Sequence, residues 1–261
     1  MGFARRLPAL GLLAALSLAA LSLAAGACAG TPSRSSTTSS SSSSHGAASS
    51  SSSSGAGTGG ATSGPPSAAQ LVKLTSTCNQ ASNGLYKAKN DSPSATVAIC
   101  KLNGAFFWNA DMDVDCDGKT TSACNGNTDP SYQNQTSATD SMGNPLDASS
   151  LPYVVIPLPD AKFDYMAEGI LIGDVVAVVY NGKITYGVFG DEGPTELIGE
   201  ASYAMAASLG IDPNPATGGA DCCGVTYIVF PGSSGVVSPI EDHAAATSLG
   251  EKLATTLLQT N

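Results

Sequence analysis

Asn181-Gly182 stands between two runs rich in β-branched residues, Val175-Val176-Ala177-Val178-Val179-Tyr180 and Lys183-Ile184-Thr185-Tyr186-Gly187-Val188-Phe189. Asn-Gly is the favoured two-residue loop of an antiparallel hairpin, because both residues tolerate the positive φ that the turn demands. Loop length then fixes register. Val179 falls opposite Ile184, Ala177 opposite Tyr186 and Val175 opposite Val188, which makes one face apolar and fit for a core. The other face carries Thr185 and Gly187. Asp191 shares their parity if the extended path continues through Gly190.

Further strands are expected over 95–101, 105–108, 153–156, 169–172 and 225–230. Helical signals are fewer. Ser238 as N-cap, Pro239 at the first helical position and Glu241 at the third precede Leu249, Leu253 and Leu257, which recur every four residues. A second helix is expected over 200–209, stopping at Gly210, and a short one near Ala69. The sum is a mainly β (α+β) chain: a single β-barrel-like domain with a few peripheral helices.

The fold occupies only part of the 261 residues. Residues 1–28 have the layout of a secretory signal peptide: Arg5 and Arg6, an apolar run from Leu10 to Leu23, then small residues ending at Cys28. The cysteine after small residues resembles a bacterial lipobox, although Ala25 stands where Leu is usual. Lipidation of Cys28 would tether the protein to a cell envelope, and simple cleavage would release it. Residues 29–69, mostly Ser, Gly, Thr, Ala and Pro, have nothing to bury and read as a flexible linker. Residues 70–261 remain for the functional domain. With Cys28 set aside, Cys78, Cys100, Cys116, Cys124, Cys222 and Cys223 form an even set, up to three disulfides in an exported protein. Cys116 and Cys124 are close enough to staple a loop; Cys222 and Cys223 can bridge each other or find separate partners.

Charge narrows the partners. From residue 70 on there are eight lysines, no arginine and twenty-one Asp and Glu, a net of −13. Such a domain repels phosphate backbones and suits a neutral or cationic partner, so nucleic acid is excluded. There are two histidines in the whole chain, and only His243 lies in the domain, which argues against a His-rich metal site. No G-x-S-x-G elbow, Walker loop or H-E-x-x-H occurs.

Two acidic segments remain. In Asp111-Met112-Asp113-Val114-Asp115-Cys116-Asp117-Gly118, an extended backbone sends the four aspartates to one face and Met112, Val114 and Cys116 to the other. A row of like charges calls for a cation. Calcium is one reading, since Asp113, Asp115, Asp117 and Gly118 fit the first positions of an EF-hand loop, but Cys124 stands where its bidentate Glu belongs. A protonated sugar amine is another, and a solvated turn stapled by Cys116–Cys124 a third. The second segment, Gly187 to Ser202, places Asp191, Glu192, Glu196 and Glu200 on a Gly-rich turn and the start of the next element. Two carboxylates across a cleft are what glycoside hydrolysis needs, one to protonate the leaving oxygen and one to activate water or attack carbon. An acidic surface turn gives the same pattern.

The residues also resemble a known family. Met112-Asp113-Val114-Asp115-Cys116-Asp117-Gly118 is similar to the M-D-I-D-C-D-G stretch of the fungal-type chitosanases, glycoside hydrolase family 75. Pro152-Tyr153-Val154-Val155, Val176–Val179, Asn181-Gly182, Tyr186-Gly187, Gly190-Asp191 and Gly199-Glu200-Ala201-Ser202 follow in the family's order. The resemblance implies endo-hydrolysis of β-1,4-linked glucosamine chains with inversion, with Asp191 and Glu200 as the essential acids and no metal or organic cofactor. Asp111, Asp113, Asp115, Asp117 and Tyr186 become candidate substrate-binding residues, with Trp108 or Tyr186 available to stack on sugar. Glu200 is the expected proton donor and Asp191 the base. The expected protein is a secreted or surface-tethered monomer that meets a membrane only through Cys28. Related glycosidase action on partly acetylated chitin or another wall polysaccharide, or non-catalytic capture of polyamines or calcium, are the alternatives.

Overall fold

The computed structural model describes residues 64–261 apart from Asp91. The expected signal peptide, Cys28 and most of the linker lie outside the described residues. Helix α1 (Ala68–Leu74) begins two residues before the expected domain start. Ser67 and Gln70 cap it reciprocally, satisfying two backbone donors at its N-terminus.

Among the described residues seven strands follow: β1 (Cys100–Leu102), β2 (Ala105–Asp115), β3 (Tyr153–Pro157), β4 (Val175–Tyr180), β5 (Lys183–Gly193), β6 (Glu200–Ser202) and β7 (Ala220–Val229). Helix α2 (Tyr203–Leu209) follows β6 directly, and α3 (His243–Thr260) ends the chain. The sheet runs β1-β2-β6-β3-β5-β4-β7, and β7 pairs back onto β2. Six strands therefore close into a barrel, with β1 as an appended edge, and closure removes the exposed edges that an open sheet would leave. The expected β-barrel-like domain with peripheral helices is what forms.

The hairpin has the register that its loop dictates: Val175 with Val188, Ala177 with Tyr186, Val179 with Ile184. Asn181 and Gly182 take φ of 46° and 77°. Both hairpin faces are buried. Val176, Val178 and Phe189 join Phe106, Trp108, Met112, Val154, Ala201 and Tyr227 in a cluster drawn from all six barrel strands. Val175, Ala177, Tyr186 and Val188 face a second cluster with Leu71 of α1 and Ala246, Ala254 and Leu257 of α3. The first cluster fills the barrel, and the second lies between its outer wall and the two helices. At about 1.5–3 kcal/mol for each fully buried Val, Ile, Leu or Phe, this double burial explains why the hairpin strands are nearly all apolar rather than alternating.

Four expectations change. The strand expected over 95–101 forms only at Cys100 and Lys101, the start of β1, with an isolated bridge between Val97 and Tyr86 before it. Residues 169–172 form turns, not a strand; Leu171 and Ile172 are exposed, and the Leu171 N–H is held by Asp174. Residues 200–202 are strand, because Ser202 rather than a residue before Glu200 caps α2 by accepting from the Met205 N–H. Gly210 ends α2 in the left-handed region, as expected. The last helix starts at His243, not Pro239, since the Asp242 side chain accepts from the Ala245 N–H and serves as N-cap. Among the described residues three disulfides form: Cys78–Cys100, Cys116–Cys124 and Cys222–Cys223.

Candidate active site

Asp113 on β2 pairs with Glu200 on β6. Glu200 pairs with Val155 on β3, and Val155 pairs with Asp191 on β5. These four residues form one row across four adjacent strands. Residues opposite one another in register present side chains to the same side of a sheet. Val155 belongs to the outer cluster and its neighbour Val154 to the inner one, so the row faces out of the barrel. Strands lie about 4.8 Å apart, which puts the Asp191 and Glu200 backbones roughly 10 Å apart with Val155 between them.

Asp191 reaches this face through a bulge. The β3–β5 register shifts between Val154, opposite Phe189, and Val155, opposite Asp191, which leaves Gly190 as the extra residue. One inserted residue turns the following side chain to the other face. The extended path thus does not continue through Gly190, and Asp191 leaves the parity of Thr185 and Gly187 for that of Val188. Gly190 is required sterically, because a Cβ there would lie 2.7 Å from Tyr153 Cβ and 2.9 Å from Leu146 Cδ1.

The row opens into a cavity of about 610 Å³ lined by Asp113, Asp115, Asp117, Asp129, Asp191, Glu192 and Glu200. Burial, reinforced by Asp113, Asp117 and Asp191, pushes the Glu200 carboxyl up to about 7. Burial also raises Asp191, but there the Ser137 and Glu192 N–H groups oppose it, donating to Oδ1 at 2.7 and 2.8 Å. Hydrogen bonds to the anion favour charge. Asp117 rises to about 6 through burial, against a hydrogen bond from the Gln133 N–H. Asp115 is raised by burial and by Asp117. Asp191 and Glu200 thus differ in kind: one carboxylate is held by two donors, the other is crowded by like charge in a partly dry place.

A family model described as "Fungal chitosanase of glycosyl hydrolase group 75" matches residues 112–257, which contain the row, the bulge and most of α3. The chain belongs to that family. An "Endo-chitosanase C" of Aspergillus oryzae is 34% identical over 183 residues, covering 66% of this chain and 44% of that protein. An "Endo-chitosanase" of the same species is 33% identical over 182 residues, covering 62% of this chain and 74% of the relative. One from Aspergillus fumigatus is 38% identical over 116 residues, 40% of this chain and 49% of the relative. The chain thus spans less than half of endo-chitosanase C. Among solved structures, the Streptomyces papain inhibitor covers 36% of this chain at 25% identity and a TM-score of 0.24.

Among residues carried over from the family's motifs, Asp113, Asp115, Asp117, Asp191 and Glu200 share the cavity. Two expected substrate contacts do not. Asp111 keeps the outward parity of its neighbours but is fully buried. Gly199 packs over it, since a Cβ there would sit 2.5 Å from Asp111 Oδ1. Neither Asp111 carboxyl oxygen has a hydrogen-bond partner, and burial pushes the group up to about 7. Tyr186 belongs to the outer core, where Gly250 of α3 lies against its ring. Trp108 is likewise core, stacked on Tyr227 at 5.3 Å. Among the described residues no group of three or more His, Cys, Asp or Glu is arranged to hold a metal ion, and Asp113 and Asp115 sit on a strand rather than in an EF-hand loop.

Two charged cavity residues had no signal in the sequence pattern. Asp129 arrives on the long connection after Cys124, and Lys89 on the segment before β1. Only the eight-residue separation of Cys116 from Cys124 hints that the Asp129 connection folds back beside β2.

Proposed function

We propose that the domain is an endo-chitosanase that hydrolyses β-1,4 glucosaminyl linkages with inversion, Glu200 protonating the leaving oxygen and Asp191 activating water. The observation that carries this reading is the register row in which Asp191 and Glu200 flank Val155 on one cavity wall. A backbone separation of roughly 10 Å is compatible with carboxyl groups about 6.5–9.5 Å apart, the spacing that leaves room for a water. Glu200, with its carboxyl raised to about 7, keeps its proton in the mildly acidic water where chitosan is a soluble polycation. Asp191, with two N–H donors, is the better holder of negative charge. The other cavity carboxylates can pair with substrate ammonium groups.

The cleft suits a polymer. The main cavity shares Asp117, Gln133, Asp191 and Glu192 with a neighbouring hollow of about 290 Å³ that also reaches Gln135 and Ser137. It shares Pro215, Ala216 and Thr217 with another of about 420 Å³ that reaches Asn127 and Tyr203. Both hollows adjoin the main cavity and offer room for further sugar units, which suits cutting within a polymer. The enzyme is proposed to act outside the cell, freed or tethered through Cys28, as a monomer and without a cofactor.

The test is reducing-end release and viscosity loss on soluble chitosan, with product anomers followed by NMR. Wild-type protein is expected to shorten the polymer and release the inverted anomer first. Asp191→Asn and Glu200→Gln are each expected to lose at least about a thousandfold in kcat while melting as the wild type does. Retention of activity by either variant refutes the pair, and capture of polymer without shortening leaves a binding protein.

A further inference from the structure

Among the described residues lining the acidic cavity, Lys89 is the one cation. Its Nζ lies 3.5 Å from Asp221, which is fully exposed, so solvent screens that pair. Asp113 and Asp111 also act on the ammonium. The segment is held in place by its backbone. The Lys87 N–H donates to the Glu196 carbonyl at 2.9 Å and the Ile198 N–H to the Lys87 carbonyl at 3.1 Å. Lys89 is thereby tied to the chain that leads into Glu200, with Asn90 and Leu197 also lining the cavity.

The surroundings of Asp117 differ. Asp117 lies past the end of β2 at Asp115, where its N–H donates to Asp115 Oδ1 and the chain turns. There the cavity continues past Asp191 and Glu192 toward Gln135 and Ser137, a stretch lined by no cation among the described residues. The acids near Asp113 in the main cavity therefore face a positive charge, and those around Asp117 and Gln135 do not.

We propose that Lys89 sets acetylation preference, so that the sugar bound beside it is an N-acetylated unit rather than one carrying an ammonium group. This rests on the chitosanase reading. A glucosamine ammonium beside Lys89 meets a like charge. An acetamide is neutral, and its carbonyl can accept a hydrogen bond from Nζ. Around Asp117 the same reasoning favours the free amine.

The experiment measures initial rates on fully deacetylated and partly acetylated chitosan, and sequences product ends by mass spectrometry. It compares wild type, Lys89→Gln and Lys89→Arg. Wild type and Lys89→Arg are expected to yield products with an acetylated unit enriched at one fixed distance from the new end. Lys89→Gln is expected to lose that enrichment and to shift the rate ratio toward deacetylated polymer by about five- to tenfold. An unchanged ratio and end pattern in Lys89→Gln overturns the proposal, as does loss of the pattern in Lys89→Arg, which keeps the charge. If wild type releases no reducing ends from either polymer, the chitosanase reading fails separately. Calorimetric titration of Glu200→Gln protein with fully deacetylated and singly acetylated glucosamine hexamers then decides. Adding Lys89→Gln must favour the deacetylated hexamer by the same factor; an unchanged ratio, or binding of neither, overturns the role of Lys89.

Discussion

Carboxyl groups in this site are separated by environment more than by chemistry. Glu200 is raised first by burial and next by Asp113, its register partner across β2 and β6. Removing that neighbouring charge makes Glu200 easier to ionise. Asp113→Asn is therefore expected to move the alkaline limb of the kcat/KM profile to lower pH by about half to one unit. An unmoved limb, measured from pH 4 to 9, would remove Glu200 as the proton donor. Asp111 makes a different statement. Unfolded, it releases its proton near 3.8; folded, it holds it to about 7. Between those values the folded state carries the extra proton, so its stabilising effect is full below pH 4 and is lost as pH rises through 7. Asp111→Asn is expected to leave the melting temperature nearly unchanged at pH 4. At pH 8 it should raise stability by on the order of 2 kcal/mol, visible as a rise of several degrees in a thermal melt.

Strands and turns were legible where local chemistry fixed them and illegible where a distant segment did. The β4–β5 register followed from the length of one loop. The outward parity of Asp113 and Asp115 followed from alternation. Alternation also assigned Asp111 outward, but burial depends on Gly199, eighty-eight residues later, which no pattern near Asp111 contains. Asp191 was found as a candidate by its Gly-rich turn, yet the face it takes is set by the Gly190 bulge against β3. Residues 169–172 look like a strand because they are apolar, while the Asp174 carboxylate that holds them in turns acts by accepting from the Leu171 N–H. The bulge gives an element-scale prediction. Gly190→Ala must push against Tyr153 and Leu146; overpacking of this kind costs about 1–3 kcal/mol. Because relief of the clash moves Asp191, activity well below the melting temperature should fall by more than about tenfold. A variant that melts early but keeps full kcat when cold would show that the bulge serves only the fold.

At the scale of the whole domain, the arrangement separates a scaffold from a field. Six strands closed on an apolar interior hold the row rigidly, while α1 and α3 cover the outer wall around Tyr186. Twenty-one acids against eight lysines after residue 69 make the surroundings of the cleft attractive to a polycation before any contact forms. Surface fields are screened over roughly 8–10 Å at ordinary ionic strength, whereas partly buried charges inside the cavity are screened far less. Capture of a cationic polymer and chemistry upon it should therefore respond differently to salt. Raising sodium chloride from about 0.02 to 0.5 M, which shortens the screening length several-fold, is expected to raise KM for long chitosan by about tenfold or more and to change kcat by less than about twofold. A short glucosamine oligosaccharide, which touches little beyond the cleft, should show a smaller rise in KM. Equal salt sensitivity for polymer and oligosaccharide would place the attraction inside the cleft, among Asp113, Asp117 and their neighbours, and leave the charge on the rest of the domain without a part in substrate capture.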